Sequence, residues 1–281
     1  MKNLKFAFVE IKGGFGNQIF QLSFAQYLKK NGFFVFINVQ KNWKLGHEFK
    51  YEAFGFKKSN KLVIKILQMI YKSSEGKKFV NFYRKFFDSY FSKYFKLDQL
   101  ATLGTKTINY FDGYWQDIKI LESQKEFIKC SLKKMPLFQK AFKKTILSGS
   151  TIVHIRRGDY VDIDEDLSVD FYKNAINYCK KNIKNFNYDI FTDDVEWVNN
   201  QNIFNEALNI YGPSSNNDLK FTTITNMFNY ENYIIGNSTF SLIPAILSER
   251  ENSTILISEP RFRHSHRELN FYNHWIRIKN I

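Results

Sequence analysis

The chain has 281 residues, of which 44% are hydrophobic and 24% charged, the composition of an ordinary globular protein. No run approaches the roughly 20 apolar residues of a membrane span. Met1–Phe8 leads directly into a predicted strand, without the apolar core of a signal peptide. The two cysteines, Cys130 and Cys179, form no disulfide framework and indicate a reducing compartment. These features together predict a cytoplasmic protein.

The formal net charge of +14 is unevenly distributed along the chain. Residues 1–148 contain 28 Lys and Arg against 10 Asp and Glu, whereas residues 149–281 contain 13 against 17. The field of the first half would attract an anionic surface or an anionic substrate. An anionic membrane and nucleic acid are both candidates. Because the sequence contains no recognisable RNA-reading module, we expect no nucleic acid partner.

The first elements predict a parallel sheet. Residues 4–11 form a mostly apolar run that predicts a strand, residues 17–30 repeat apolar side chains at helical spacing, and residues 33–39 predict a second buried strand. A strand–helix–strand unit of this kind places its two strands parallel to each other.

The loop between the first strand and the first helix is rich in glycine. Gly14 and Gly16 match the first two positions of a dinucleotide-binding fingerprint, but Ile19 stands in place of the third glycine. Asn38, which is not acidic, lies near the end of the second strand. Both departures argue against NAD as a ligand.

Residues 79–95 carry Phe and Tyr at the spacing of a helix, flanked by Lys and Arg. This pattern predicts an aromatic helix inside a basic insert of about residues 57–100. One interpretation is a helix docked on the core with solvated lysines. The other is a helix that rests on an anionic membrane.

Residues 130–150 predict a lysine-rich helix that ends at a domain junction near residue 148. Beyond it, strands and helices alternate at regular spacing, which predicts a doubly wound α/β domain. The predicted strands are 151–156, 188–192, 207–211, 233–236 and 254–257, and the predicted helices are 168–181, 195–199, 219–228 and 239–247. The expected fold class is α/β, with Rossmann-like domains at 1–148 and 149–281 that face a central cleft.

Polar clusters follow three predicted strands of the second half, and ligands bind at such strand ends in parallel sheets. The first cluster contains His154, Arg156 and Arg157. Two guanidinium groups at a buried strand end suit a pyrophosphate and would neutralise a departing nucleoside diphosphate. The alternative is an internal ion pair between Arg157 and Asp159.

The second cluster contains two adjacent aspartates, and the third lies at the start of a predicted helix. Asp193 is expected to accept hydrogen bonds from a guanine base, and Asp194 to cap the short helix that follows. Residues 237–241 place hydroxyl groups and free N–H groups where a phosphate would bind. Helix capping explains Ser238 or Thr239 equally well.

Metal binding has little support in the sequence. The two adjacent acids after the strand at 188–192 have no third ligand nearby. His264, His266 and His274 lack the spacing and the carboxylate partner of a zinc site. We therefore expect no metal.

These motifs together resemble the alpha-1,2-fucosyltransferases of glycosyltransferase family eleven. The resemblance rests on Gly13–Gln21, Gly113–Gln116, His154–Tyr160, Phe191–Asp194 and Ile235–Ser241, which occur in the family's order. It implies a GT-B fold, GDP-β-L-fucose as the donor, inversion at the anomeric carbon, and neither a cofactor nor a required metal.

The resemblance also implies roles for individual residues. Arg156 would hold the β-phosphate and assist the leaving group, and His154 and Asp193 would face the guanine. The remaining donor-side residues would be Arg157, Ser238, Thr239 and Ser241 around the phosphates, and Gly14, Asn17 and Gln18 in the cleft near the fucose or the acceptor. The family often shows a tryptophan pair where this chain has Leu242-Ile243-Pro244, which bears on acceptor preference.

The expected reaction is a single displacement in which an acceptor hydroxyl, the 2-hydroxyl of galactose, attacks C1 of the fucose. Asp159 and Glu10 are the candidate general bases. The acceptor would be a glycan, lipid-linked and part of a bacterial surface polysaccharide, with the enzyme peripheral on the inner face of the plasma membrane. Alternatives are a GT-B transferase of another GDP-sugar, and a non-catalytic basic protein that binds membrane or nucleic acid.

Overall fold

The structure is a computed structural model that describes residues 4–43, 45, 49–72, 87–92, 107–142, 146–213, 223–264 and 269–280. The chain divides into two compact units, Met1–Met135 and Pro136–Ile281. Each unit is built on its own parallel sheet. The division falls earlier than the junction near residue 148 that the sequence predicts.

The first unit contains a five-stranded sheet in the order β3-β2-β1-β5-β4, and every neighbouring pair of strands is parallel. Its strands are β1 (Lys5–Ile11), β2 (Phe33–Val39), β3 (Lys57–Lys58), β4 (Phe87–Ser92) and β5 (Ile108–Gly113), and its helices are α1 (Phe15–Lys30), α2 (Lys61–Lys72), α3 (Ile118–Ser123) and α4 (Lys125–Lys133). The predicted strand–helix–strand opening is confirmed. Val9 and Ile11 of β1 and Ile19 and Phe24 of α1 have no exposed surface, so they form the core of this unit.

The predicted aromatic helix at 79–95 is wrong where the structure describes it. Residues 87–92 form β4, which pairs in parallel with β5 along its whole length. Short aromatic runs satisfy helical and extended patterns alike, and aromatic residues favour strands. Pairing with β5 supplies the backbone hydrogen bonds that decide between the two. The rest of the predicted helix, at 79–86 and 93–95, lies outside the described residues.

The lysine-rich helix predicted at 130–150 is also wrong, because two shorter helices take its place. α4 ends at Lys133, and α5 (Pro136–Ala141) begins at a proline. Proline has no N–H to continue the preceding helix and disfavours helical geometry in the residue before it, but it is well suited to the first turn of a new helix.

The second unit contains a six-stranded sheet in the order β11-β10-β9-β6-β7-β8, again with all neighbours parallel. Its strands are β6 (Ser150–Ile155), β7 (Asn187–Thr192), β8 (Ile210–Tyr211), β9 (Asn232–Ile235), β10 (Ile255–Glu259) and β11 (Ile276–Lys279), and its other helices are α6 (Gly158–Val161), α7 (Val169–Asn182), α8 (Val195–Asn199) and α9 (Thr239–Ser248). The predicted alternation is confirmed, and β11 is an addition to it. The helix predicted at 219–228 is described only from residue 223, and Met227–Asn229 form a 3-10 turn.

The order of strands in the second sheet creates a topological switch point. From the fully buried β6 the chain adds β7 and β8 on one side, then returns to place β9, β10 and β11 on the other. The crevice at the carboxyl ends of β6 and β9 is therefore where a doubly wound sheet binds its ligand.

The α/β class with two Rossmann-like units, as in the GT-B fold, is confirmed. No helix in the described ranges has the length and hydropathy needed to traverse a bilayer. The central cleft between the two units stays a prediction.

We expect the substitution Gly149→Ala to lower the free energy of unfolding by about 3 kcal/mol. Gly149 has φ +80°, and an added Cβ would collide with the backbone carbonyl of Asn185 and lie 2.7 Å from that of Lys184. Gly32 is the matched control, since its φ is +86° but an added Cβ meets nothing within 4 Å. Gly32→Ala should cost only about 1 kcal/mol for the left-handed backbone. Urea unfolding measures both, and equal losses would contradict the collision.

Candidate functional site

The candidate site lies at the carboxyl edge of the second sheet, where the loops after β6, β7 and β9 come together. The backbone N–H of Arg157, after β6, donates to Asp193 Oδ1 after β7 at 2.8 Å. The ring of His154, near the end of β6, lies 5.8 Å from the ring of Phe240 in the first turn of α9. All three polar clusters found in the sequence thus meet at the switch point.

Arg156 is the more accessible cation of this site, because 38% of its side chain is exposed. Its Nη2 donates to Asp159 Oδ1 at 2.6 Å, and its Nη1 lies 2.8 Å from Asp193 Oδ2. The guanidinium group also lies 5.8 Å from the centroid of the Tyr160 ring. The guanidinium group is therefore accessible from solvent and is held in position by two carboxylates.

Arg157 is held from inside by two carboxylates and an indole ring, and its predicted contact with the nucleotide stays a prediction. Its Nε donates to Asp194 at 3.1 Å and its Nη1 to Asp166 at 2.6 Å. The guanidinium group lies 4.2 Å from the Trp197 ring centroid, and only 17% of the side chain is exposed. The alternative pair with Asp159 is wrong, because Asp159 pairs with the other arginine. Asp166 is a partner that no sequence pattern indicates.

Asp193 connects the first two clusters. Its Oδ1 accepts the Arg157 N–H and its Oδ2 faces the Arg156 guanidinium group. Any Cβ at Gly158 would lie 2.7 Å from Asp193 Oδ2, so the glycine of this motif leaves room for the carboxylate. The predicted contact of Asp193 with guanine stays a prediction.

Asp194 caps α8, as the sequence predicts. Its Oδ1 accepts the backbone N–H of Trp197 at 3.0 Å, and its own N–H donates to Thr192 Oγ1 at 3.0 Å. An aspartate at this position satisfies one of the free N–H groups of the first helical turn. The same carboxylate also holds Arg157, so one residue fixes both the helix and the arginine.

His154 is a buried histidine with only 6% of its surface exposed. Burial, together with the charge of Arg156, lowers the pKa of His154 to about 3. Its Nδ1 has no hydrogen-bond partner among the described residues. A neutral imidazole with an unused nitrogen is suited to a hydrogen bond with a ligand. Its predicted contact with guanine stays a prediction.

The third cluster forms the start of α9. Ser238 is the N-cap, and its Oγ accepts the N–H of Phe240 at 3.2 Å. Thr239 is the first helical residue and is half-buried, whereas Ser241 has no exposed surface and its Oγ has no partner in the described part of the chain. Capping is thus the observed role of Ser238. The predicted phosphate contacts of Ser238, Thr239 and Ser241 stay predictions.

Arg261 is a third arginine at this edge, and none of the three polar clusters contains it. It follows β10, is only 7% exposed, and its Nη2 donates to the backbone carbonyl of Asn237 at 2.9 Å. Its guanidinium group lies 4.9 Å from the Phe262 ring centroid. The sequence does contain one indication of this residue, which is the basic and aromatic run at 261–263 shortly after the strand predicted at 254–257.

In the first unit, the glycine-rich motif holds its own loop together. Gln18 has no exposed surface; its Nε2 donates to the Gly13 carbonyl at 2.6 Å and its Oε1 accepts from the Tyr51 hydroxyl at 2.6 Å. Gln18 is therefore held inside its own unit, and its predicted place beside the sugar stays a prediction. Asn17 is half-buried and accepts from Gln116 Nε2 at 2.6 Å.

Gly14, in contrast, is open to solvent. It is the N-cap of α1, and a Cβ built on it would meet nothing within 4 Å. The fold itself therefore does not require a glycine at this position. Its predicted contact with the donor stays a prediction.

Glu10 is not placed to act as a general base. It has no exposed surface, and its carboxylate accepts hydrogen bonds from Tyr110 Oη at 2.8 Å, Asn38 Nδ2 at 2.8 Å and Gln40 Nε2 at 3.1 Å. Burial raises the pKa of Glu10, and the hydrogen bonds oppose that effect. Asp159, the other candidate, has 68% of its side chain exposed.

No group of three or more His, Cys, Asp or Glu that could hold a metal occurs within the described ranges. His264 Nε2 lies 2.7 Å from Asp164, and His274 Nε2 lies 2.7 Å from Glu249. The third histidine considered for zinc, His266, lies outside the described residues. Independence from metal stays a prediction.

Comparison with known proteins identifies the class and then the family. Two Rossmann-like units are the architecture of GT-B glycosyltransferases. The sequence profile of Glycosyl transferase family 11 matches residues 1–279. The chain belongs to this family and is a glycosyltransferase.

Individual relatives are distant. An alpha-1,2-colitosyltransferase of Escherichia coli is 27% identical over 299 residues, which cover 96% of this chain and 97% of the relative. The O-antigen biosynthesis glycosyltransferase WbnK of Escherichia coli is 27% identical over 188 residues, or 59% of each chain. Among solved structures, the fucosyltransferase NodZ from Bradyrhizobium shows 11% identity and a TM-score of 0.47 over 87% of this chain and 93% of its own.

We expect Arg157→Ala to lower the free energy of unfolding by about 2–3 kcal/mol, because two partly buried carboxylates lose their cation. Arg277 is the control, since it forms an ion pair with Glu259 in which 47% and 54% of the two side chains are exposed. Arg277→Ala should cost less than about 1 kcal/mol. Chemical denaturation of both variants tests the comparison, and a neutral Arg157→Ala would refute the structural role.

His154 should make the stability of the protein depend on pH on the acid side. Its pKa is about 3 in the folded chain and near 6.5 when unfolded. Between these values the unfolded state binds more protons, so the free energy of unfolding falls as the pH falls. From pH 7 to pH 5 this group should contribute a loss of about 2 kcal/mol.

The test compares wild type, His154→Gln and His274→Gln by urea unfolding at several pH values. In His154→Gln, the free energy of unfolding should not show this fall of about 2 kcal/mol between pH 7 and pH 5. His274→Gln should retain it, since 64% of the His274 side chain is exposed. Parallel pH profiles for wild type and His154→Gln would show that His154 is protonated normally.

Proposed function

We propose that the chain transfers L-fucose, or a closely related sugar, from its GDP ester to a hydroxyl group of a glycan. Membership of Glycosyl transferase family 11 supports the reaction class. The observation that carries the proposal is the accessible guanidinium group of Arg156 at the β6–β9 switch point, beside a neutral His154 and the start of α9. These groups are cationic or hydrogen-bonding, as a nucleoside diphosphate requires.

In the proposed mechanism the acceptor hydroxyl attacks C1 of the sugar on the face opposite the diphosphate. The bond from C1 to the β-phosphate oxygen breaks, the configuration at C1 inverts, and GDP leaves with the electron pair. Arg156 and the N–H groups at the start of α9 stabilise the negative charge that develops on the β-phosphate. The proton of the attacking hydroxyl passes to a base on that opposite face, whereas Asp159, exposed and 2.6 Å from Arg156, orients the guanidinium group on the side of the diphosphate. No metal is required in this scheme.

The relatives support the proposed donor and acceptor. Colitose is fucose without its 3-hydroxyl group, and one relative is named as an alpha-1,2-colitosyltransferase. GDP-fucose and GDP-colitose are therefore the two candidate donors, with fucose proposed first. The relatives' names support attack by a 2-hydroxyl and a role in O-antigen synthesis. The acceptor in this proposal is a lipid-linked glycan.

A donor panel tests this proposal. Purified protein is incubated with GDP-fucose, GDP-colitose, GDP-mannose or UDP-galactose and galactose-terminated acceptors, with and without EDTA. Transfer from GDP-fucose that resists EDTA supports the donor and the absence of a metal. Transfer only from GDP-colitose keeps the mechanism and changes the donor, and transfer only from UDP-galactose refutes the guanine site. GDP binding measured by calorimetry tests the site independently of the acceptor.

Arg156→Ala should lower kcat by about 10²–10³-fold, because the leaving diphosphate loses its main cation. The free energy of unfolding should change by less than about 1 kcal/mol, since the Arg156 ion pairs are partly exposed. Arg277→Ala, on the exposed end of β11, is the control and should leave kcat unchanged. Undiminished turnover of Arg156→Ala would remove Arg156 from the mechanism.

A further inference from the structure

Helix α2 (Lys61–Lys72) packs one of its faces on the first sheet. Ile64 and Leu67 are 5% and 4% exposed, and they form a small cluster with Tyr110. Half-buried Phe8 and Ile108 pack against the same cluster. This contact defines the inner face of α2.

The opposite face of α2 is also apolar, although it is open to solvent. Leu62, Ile66 and Met69 are 65%, 47% and 69% exposed. Their spacing of four and three residues places them in one row, away from the inner face. A helix that docks by one face on a soluble domain normally shows polar residues on the other. We call Leu62, Ile66 and Met69 the outer stripe.

Positive charge accompanies the outer stripe. Lys61 and Lys65 are exposed on one flank of the helix, and α2 contains no Asp or Glu. The surrounding half of the chain, residues 1–148, has 28 Lys and Arg against 10 Asp and Glu. Apolar side chains bordered by lysines, in a strongly basic unit, are complementary to an apolar surface with anionic groups at its edge.

A second exposed apolar feature lies on the same face of the sheet. Side chains alternate along a strand, so Phe6 shares a face with Phe8, which packs against α2. Phe6 and Phe34 form a ring pair at 5.7 Å, and Phe34 is 55% exposed. Exposed apolar side chains are normal when scattered, but a group of them on one face marks an interaction surface.

We propose that the outer stripe and Phe34 rest on an anionic lipid bilayer, with α2 lying in the plane of the interface. Leu62, Ile66 and Met69 enter the boundary between headgroups and acyl chains, while Lys61 and Lys65 meet the anionic headgroups. Twelve residues are too few to span a bilayer, for which about 20 are needed. This surface lies on α2 and not on the aromatic stripe predicted at 79–95, and it does not depend on which sugar is transferred.

Flotation with lipid vesicles tests the proposal on the full-length protein. Vesicles contain either phosphatidylcholine alone or equal amounts of phosphatidylcholine and phosphatidylglycerol. We expect wild type to bind the anionic vesicles at least about tenfold more tightly, because each lysine near the surface contributes about fivefold. Added salt should weaken this binding. Absence of binding to the anionic vesicles, or equal binding to both kinds, would overturn the proposal.

Two variants locate the surface. Ile66→Glu combined with Met69→Glu should reduce binding to anionic vesicles at least about tenfold. Lys61→Ala combined with Lys65→Ala should reduce the same binding by about fivefold for each lysine removed. The matched control is Leu208→Glu in the second unit, where the leucine is 64% exposed; it should bind as wild type does. Binding retained by the double glutamate variant would refute this location.

Thermal unfolding and light scattering distinguish the other possible occupants of the face. If the double glutamate variant has the same Tm as wild type, and wild type is monomeric, the results support a surface that is free to contact lipid. A large fall in Tm for the double glutamate variant would mean that the chain itself covers the stripe. A wild-type dimer that the same variant dissociates would mean that a second copy does. Either of these two results overturns the proposal without bearing on sugar transfer, which a water-soluble acceptor measures separately.

Discussion

The carboxylate of Asp193 fixes the geometry of the second unit's binding edge. One of its oxygens accepts the backbone N–H of Arg157, and the other faces the guanidinium group of Arg156. These contacts connect the loop after β7 to the loop after β6, and β6 lies in the middle of the sheet. Gly158 leaves the space that this carboxylate needs. Without this connection, Arg156 would keep only its exposed ion pair with Asp159.

From this connection the two adjacent arginines acquire different roles. Arg157 turns toward Asp166, Asp194 and Trp197, where a buried cation is stabilised only if carboxylates surround it. Arg156 remains accessible, with 38% of its side chain exposed. His154 stays neutral beside it, because burial and the neighbouring positive charge both disfavour protonation. The edge therefore presents one accessible cation and one neutral hydrogen-bonding group.

The first unit uses its polar residues in a different way. Glu10 joins β1, β2 and β5 through Asn38, Gln40 and Tyr110, and Gln18 closes the glycine-rich loop. Buried polar groups need such partners, because an unpaired one costs about 1–3 kcal/mol. Motif residues here maintain the shape of the strand ends. The positive charge of this unit lies on its surface instead, where α2 exposes apolar side chains next to lysines.

The sequence by itself determined the local features of this protein: the strand–helix alternation, the helix caps at Asp194 and Ser238, and the convergence of three polar loops at one edge of a parallel sheet. These depend on hydrophobic periodicity and on contacts between near neighbours in the chain. Tertiary structure decided the rest. β4 became a strand because β5 lies beside it, and Arg157 became structural because Asp166 and Trp197 approach it. Asp166 lies nine residues from Arg157 and Asp194 lies 37 residues away, and no local pattern encodes which of two adjacent arginines will meet them.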